Sequence, residues 1–343
     1  MSWSPSIPIV IAMAVAAGIV TALATGGLLP LLRASGILDH PNQRSSHDRA
    51  VPRGGGIAVM AVIVAAWFLL AWRGGMAAGD SHDLIIIAVL AAALAGHSFL
   101  DDLRGLPALQ RLFLQILAVA LGCLALPDSP VFQGLLPPLA DRLAAGFIWL
   151  WFVNLFNFMD GIDGITVVES GSIGIGIFAL VQASGITPHL AAPAAVLAGA
   201  AVGFGFWNWR PAKIFLGDVG SVGLGFLLGW LLLSLAAAGQ WIPALLLALY
   251  YLCDATWTIV RRVLRGEPFW RAHRSHFYQY AARRCGDHGR VALLILACNG
   301  ALVATALWAA LGDNRWFALA FGGVAVALLL YYFAAMKTKD GAD

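Results

Sequence analysis

The chain has 343 residues, 60% of them hydrophobic and only 11% charged, with a formal net charge of +3. Soluble domains carry roughly twice that charged fraction, so the composition excludes an ordinary soluble enzyme and gives no basis for nucleic-acid binding. It points to an all-α polytopic membrane protein, and a β-barrel is disfavoured because apolar and polar positions do not alternate.

Apolar stretches approaching the ~20 residues of a span fall at about 7–32, 56–72, 84–99, 109–126, 139–158, 165–183, 190–207, 220–238, 241–260, 291–311 and 316–335. They predict 10–11 transmembrane helices in a single domain, 1–343, with no internal repeat. No basic residue precedes the first stretch, which is too long for a signal-peptide core and reads as a retained span. With the N-terminus outside, all of the 21 Lys and Arg except Arg73, Arg142 and Arg315 fall on the inner side, which makes that side cytoplasmic and places the C-terminus there. The fifth stretch has a short apolar core; were it re-entrant, the Asp160 loop would face outward. Cys123, Cys253, Cys285 and Cys298 lack metal-type or redox-type spacing and read as packing residues or free thiols.

The acids gather in five inner loops, 34–55, 100–110, 157–165, 208–220 and 261–290. Carboxylates are costly near lipid, so such a gathering marks a functional site. In the first loop Arg44, His47, Arg49 and Arg53 precede three glycines; Arg53 can steer a nucleotide, while topology alone accounts equally for Arg44 and Arg49. Asp101 and Asp102 end the third stretch, with His97 supporting that end one turn earlier. Adjacent helical side chains point about 100° apart, so one carboxylate can face a metal or phosphate while the other faces a basic neighbour. Two acids where a helix simply meets water are the plain alternative.

Asn154, Asn157, Asp160 and Asp163 repeat every three residues in an apolar setting. Lipid cannot satisfy that stripe, so it must meet protein, water or ligand. If helical, the four share a face; if not, Gly161 and Gly164 permit a tight turn. A buried structural network is the other reading. In NWRPAKIFLGDVGS (208–221), glycines flank Asp218 at a helix start, where backbone N–H groups suit phosphate oxygens. A carboxylate beside those groups points to a magnesium–diphosphate complex, with manganese as the alternative ion. A Ser221 helix cap would leave Asp218 unexplained. In the last loop Arg261, Arg262 and Arg265 offer bidentate phosphate contacts. His273 and His276 lack a third ligand for zinc and suit phosphate contact better. The loop has room for a short helix, and Asp254, about two turns inside the ninth stretch, is expected to pair with a neighbouring span.

Taken together, the ordered set from about Asp39 to His276, above all NLFNFMDGIDG (154–164) and NWRPAKIFLGDVGS, resembles the polyprenyl-phosphate N-acetylhexosamine-1-phosphate transferase family, also called glycosyltransferase family 4. The resemblance implies catalytic roles for Asp101, Asp102, Asp160, Asp163 and His276. It implies substrate contacts from Arg53, Asn154, Asn157, Asn208, Lys213, Phe215 (stacked on uracil), Arg262 and His273, and metal ligation by Asp218 and Asp102. Tyr278 stands where the family's last motif has its second His. The lysine-rich stretch after the acid pair and the triple-His signature of the peptidoglycan branch are both missing, which argues against a muramoyl-pentapeptide donor. PFWRAHRSHFYQ (268–279) is closer to members that begin O-antigen synthesis with N-acetylated 6-deoxyhexosamines.

The expected activity is magnesium-dependent transfer of a sugar-1-phosphate from a UDP-N-acetylhexosamine to undecaprenyl phosphate at the cytoplasmic face of a bacterial inner membrane, releasing UMP and initiating surface polysaccharide synthesis. Expected partners are the UDP-sugar, undecaprenyl phosphate, the lipid bilayer and, as an option, a second copy in a homodimer; no nucleic acid is expected. A covalent aspartyl intermediate is the alternative to direct attack. The rival functions are a CDP-alcohol-type phosphotransferase, whose Ala-Arg after the first Asp-Gly is absent, and a transporter of an anionic solute, which would need polar groups at mid-membrane.

Overall fold

A computed structural model describes residues 6–39, 49–73, 78–267 and 273–337. Arg44, His47 and the 268–272 part of the O-antigen-type run lie outside them. The described chain is a helical bundle: α1 (Ile7–Ala34), α2 (Gly56–Trp72), α3 (Ala78–Arg104), α4 (Ala108–Gly122), α5 (Pro138–Met159), α6 (Ile165–Ser184), α7 (Ala191–Asn208), α8 (Asp218–Leu235), α9 (Trp241–Leu247), α10 (Leu249–Leu264), α11 (Phe277–Cys285), α12 (His288–Leu311) and α13 (Arg315–Ala335). Two short strands, β1 (Leu38–Asp39) and β2 (Val51–Pro52), pair antiparallel beside the start of α2.

Among the described residues nine helices are long and apolar enough to cross a membrane, and Gly56–Trp72 is a shorter apolar helix. The eighth and ninth apolar stretches are parted at Gly239, whose positive φ of 86° breaks the helical run. The ninth is itself interrupted at Ala248, giving α9 and α10. The fifth stretch forms an unbroken 22-residue helix, about 33 Å long at 1.5 Å per residue, which is full span length. The third continues to Arg104, carrying Asp101 and Asp102 as helical residues. The short helix expected in the last loop is α11.

α8 is the central post, buried along nearly its whole length, whereas α1, α4 and α13 expose most of theirs. At the periphery, α1 lies against α7 through small residues. A methyl group added to Gly199 would sit 2.0 Å from the Ala14 carbonyl oxygen, and one on Gly203 would sit 2.0 Å from that of Gly18. Close backbone approach of this kind is the packing route open to helices in lipid, where no hydrophobic force joins them. Gly203→Ala should therefore destabilise the protein by about 1–3 kcal/mol, read as a lower unfolding midpoint in detergent and earlier proteolysis within α1.

Candidate active site

The polar cluster forms where α2, α4, α6, α8 and α12 begin and α3, α5, α7 and α10 end. The first loop is anchored to the segment before α8. Gly54 and Gly55 N–H groups donate to the Phe215 carbonyl, and Gly56 N–H donates to that of Leu216 at 2.8 Å. A Cβ at Gly56 would lie 2.2 Å from Gly220 N, so only glycine lets the starts of α2 and α8 meet. Arg53, the residue before this anchor, is thereby aimed between α3 and α8. Its Nη2 lies 3.1 Å from Asp102 Oδ1 and 2.6 Å from Asp218 Oδ1. Burial alone would lower the Arg53 pKa; Asp218, Asp102 and Asp39 more than offset this and raise it, so the guanidinium stays charged.

The adjacent acids divide their tasks. Asp101 Oδ1 accepts from Leu106 N–H at 2.6 Å, and its Oδ2 lies 3.1 Å from Arg111 Nη1. That arginine also stands 3.7 Å from Asp218 Oδ2. Gly105, at φ 64°, reverses the chain so that Arg111 on α4 returns to the end of α3. Asp102, by contrast, keeps Oδ2 buried without a hydrogen-bond partner, close to Gly217.

The four-residue polar stripe splits. α5 stops at Met159, so Asn154 and Asn157 are helical while Asp160 and Asp163 sit in the turn to α6, which Gly164 completes at φ 78°. Asn154 bonds back to the Leu150 carbonyl. Asn157 Oδ1 accepts from Ser221 Oγ on α8 at 2.6 Å, which makes Ser221 a cross-helix link rather than a cap. Asp160 accepts from Thr166 at 2.5 Å. Burial pushes the Asp160 carboxyl up to about 6 against that hydrogen bond, with nearby Asp218 adding to the rise. Burial would raise Asp163 too, but hydrogen bonds from His288 and the Ala212 N–H, with the charges of His288 and Arg210, hold it below its ordinary value.

Asn208 is a clamp: its Oδ1 accepts from Gly164 N–H and its Nδ2 donates to the Ile214 carbonyl, both at 3.0 Å. The last loop is tied by buried Asp254, which accepts from the N–H groups of Phe277 and Tyr278 and lies 3.3 Å from His276 Nδ1. Its partner is thus the loop after its own helix rather than a neighbouring span. Tyr278 donates to the Phe158 carbonyl and abuts Gly161, joining the last loop to the Asp160 turn. His273 stacks on His276 at 4.9 Å; burial, then the charges of His276 and Arg262, bring its pKa down to about 4.

Arg53, Arg111, Asp101, Asp102 and Asp218 thus form one charged knot, and Asp160, Asp163, Asn157 and Asn208 adjoin it through α6 and α8. His276 and His273 flank the turn beyond Tyr278. Arg262 pairs with Glu267 at 2.7 Å. Lys213 lies over the Trp207 and Phe206 rings, and Asn154 is turned to its own helix. Phe215 is half-buried and holds the first loop by its backbone. Arg111, Thr166 and His288 were not singled out from sequence. The reversal Gly105-Leu106-Pro107 was the available signal for Arg111, and the Asp287 cap before an apolar run was the signal for His288.

No group of three or more His, Cys, Asp or Glu converges on one point among the described residues. Magnesium typically takes only one or two carboxylates and completes its shell with water and substrate phosphates. Asp102 and Asp218, joined through Arg53 and with one Asp102 oxygen unpartnered, fit that donor set.

The family model described as glycosyl transferase family 4 matches residues 84–236. The chain is 29% identical over 280 residues to a probable undecaprenyl-phosphate N-acetylglucosaminyl 1-phosphate transferase of Bacillus subtilis, covering 77% of this chain and 75% of the relative. It is 28% identical to a decaprenyl-phosphate N-acetylglucosaminephosphotransferase of Mycolicibacterium smegmatis, covering 95% and 89%. A phospho-N-acetylmuramoyl-pentapeptide-transferase of Mycolicibacterium vanbaalenii is 31% identical, covering 64% and 75%.

The raised Asp160 has a measurable consequence. Its ordinary value is 3.8, so the stability it contributes is complete below that pH and is lost as pH rises through about 6. The wild type should lose about 1–3 kcal/mol relative to Asp160→Asn across that window, seen in unfolding midpoints measured against pH.

Proposed function

We propose, for a chain that belongs to the polyprenyl-phosphate N-acetylhexosamine-1-phosphate transferase family, that it transfers N-acetylhexosamine-1-phosphate from a UDP-sugar to undecaprenyl phosphate in a bacterial cytoplasmic membrane. The carrying observation is the Asp102–Arg53–Asp218 knot at one end of the bundle. Donor and acceptor are both anions, so a site joining them must oppose their repulsion. Arg53 and Arg111 offer guanidinium forks suited to phosphate oxygens. Asp102 and Asp218 would hold magnesium, which supplies charge neutralisation and Lewis acidity to a diphosphate.

In the reaction an oxygen of the lipid phosphate forms a bond to the sugar-bearing phosphorus, and the bond from that phosphorus to UMP breaks. Asp102, whose Oδ2 is buried and has no hydrogen-bond partner, would take a proton from the lipid phosphate or orient it. Asp101 acts by holding Arg111. An apolar cavity of about 630 Å3, lined by Trp149, Phe152, Leu232, Leu245 and Leu252 among others, offers room for part of an isoprenoid tail.

Relatives of two donor classes lie at similar identity, so donor choice rests on the residues. The missing lysine-rich stretch and triple-His signature favour a simple N-acetylhexosamine over muramoyl-pentapeptide, and the run around His273 favours a 6-deoxy sugar at the start of O-antigen-like synthesis. Purified protein given UDP-GlcNAc, UDP-GalNAc, their 6-deoxy relatives or UDP-MurNAc-pentapeptide should release UMP with at least one of the first group and not with the last. That release should require polyprenyl phosphate and stop on chelation of magnesium. Asp102→Asn and Asp218→Asn should each lower turnover about 100-fold or more while the unfolding midpoint stays near that of the wild type. Turnover within a few-fold of normal in both variants would remove the assignment.

A further inference from the structure

A second cavity, of about 530 Å3, opens at the same end of the bundle between the start of α12 and the end of α13. Arg284, Arg290 and Lys337 line it with Tyr332, Cys285 and Asp287. No carboxylate lies within 4 Å of the three cations among the described residues. Asp287 is occupied at the start of α12, where its Oδ1 accepts from Arg290 N–H. Arg290 Nη2 donates to Tyr332 Oη at 3.1 Å, and Arg284 stacks 4.2 Å over Tyr280 while donating to the Met336 carbonyl. The guanidinium groups are thus held in place by neutral partners, and the three cations outnumber the single carboxylate, Asp287, in the lining.

The cavity stands apart from the acidic knot: the first turn of α11 supplies Tyr278 to the Asp160 turn, whereas its last turn supplies Arg284 and Cys285 here. Below the cavity, Phe317, Phe321, Val324, Leu328 and Tyr331 are all exposed and recur every three or four residues, so they form one apolar stripe along α13. A cationic pocket at the head of a lipid-facing stripe matches the two ends of a phospholipid.

We propose that this pocket binds the phosphate headgroup of an anionic membrane phospholipid, with an acyl chain along the α13 stripe. The proposal does not depend on the transferase reading. Because α11 carries Tyr278 in its first turn and follows directly on His276, an occupant of this cavity would brace both residues.

Cys285 provides a local probe. The full-length protein in detergent is treated with a maleimide, with Cys285 labelling followed by peptide mass mapping during titration with dioctanoyl phosphatidylglycerol. The lipid should slow Cys285 labelling, and dioctanoyl phosphatidylcholine at equal concentration should not. In Arg290→Gln/Lys337→Gln the half-protecting concentration should rise about 25-fold, at roughly fivefold per removed cation. The charge-matched control Arg33→Gln/Arg104→Gln should leave it unchanged. Absence of protection, equal protection by the zwitterionic lipid, or an unchanged titration in the double variant would overturn the proposal. So would protection by millimolar inorganic phosphate alone, which would make the pocket a site for a free oxyanion.

Discussion

Holding carboxylates together at the end of an apolar bundle is the constraint around which this molecule is arranged. Two unit charges 4 Å apart repel by about 4 kcal/mol at an effective dielectric of 20. Asp101, Asp102 and Asp218 would scatter without cations between them. Arg53 bridges Asp102 and Asp218, and Arg111 bridges Asp101 and Asp218. Each arginine joins acids of two helices, so neutralising the acids also fixes the end of α3 relative to the starts of α4 and α8. The same two groups are suited to an incoming diphosphate, which would compete with the aspartates for them. Under the proposed function, assembly of the knot and recognition of an anionic substrate are one electrostatic problem.

Bringing the arginines that close requires backbone to approach backbone. Gly56 against Gly220 lets the first loop lie on the start of α8, and the bonds from Gly54 and Gly55 to Phe215 hold it there. Asn208 clamps the Asp163 turn to the loop before α8, and Ser221 ties α8 to Asn157. The polar residues around the knot are largely occupied with one another. Asp102 Oδ2 stands out because it is buried and unpartnered.

Hydropathy located the helices well because lipid demands length and apolarity together, and α1 through α8 follow the stretches closely. It could not see the break at Ala248, since an interrupted apolar run has the same composition as a continuous one. Asp101, Asp102, Asp160, Asp163 and Asp218 stood out from sequence because acids are scarce in this chain. Of their partners Arg53 stood out as well, while Arg111, Thr166 and His288 did not. Arg111 and His288 sit in ordinary basic or polar surroundings, and only the chain reversal at Gly105 and the packing of α12 bring them to the acids. Lys213 shows the converse: a basic residue inside a motif spends its charge on the rings of Trp207 and Phe206. Spacing reports which residues are near in the chain, and the direction of each side chain is decided by the turn that follows it.

The last loop completes the division of labour. Asp254 draws the Phe277 and Tyr278 N–H groups onto α10, and this places Tyr278 against Gly161. Burial first, then the Asp254 and Asp160 charges, hold the tyrosine pKa well above its ordinary value, so it remains a neutral hydrogen-bond donor beside the site. His273, brought down to about 4, is also neutral near pH 7. Permanent positive charge in the knot accordingly comes from arginines, whose protonation does not vary across the physiological range. A loop that supplies shape and neutral donors, beside a knot that supplies fixed charge, lets the Asp160 carboxyl titrate near 6 while the arginines of the knot stay protonated.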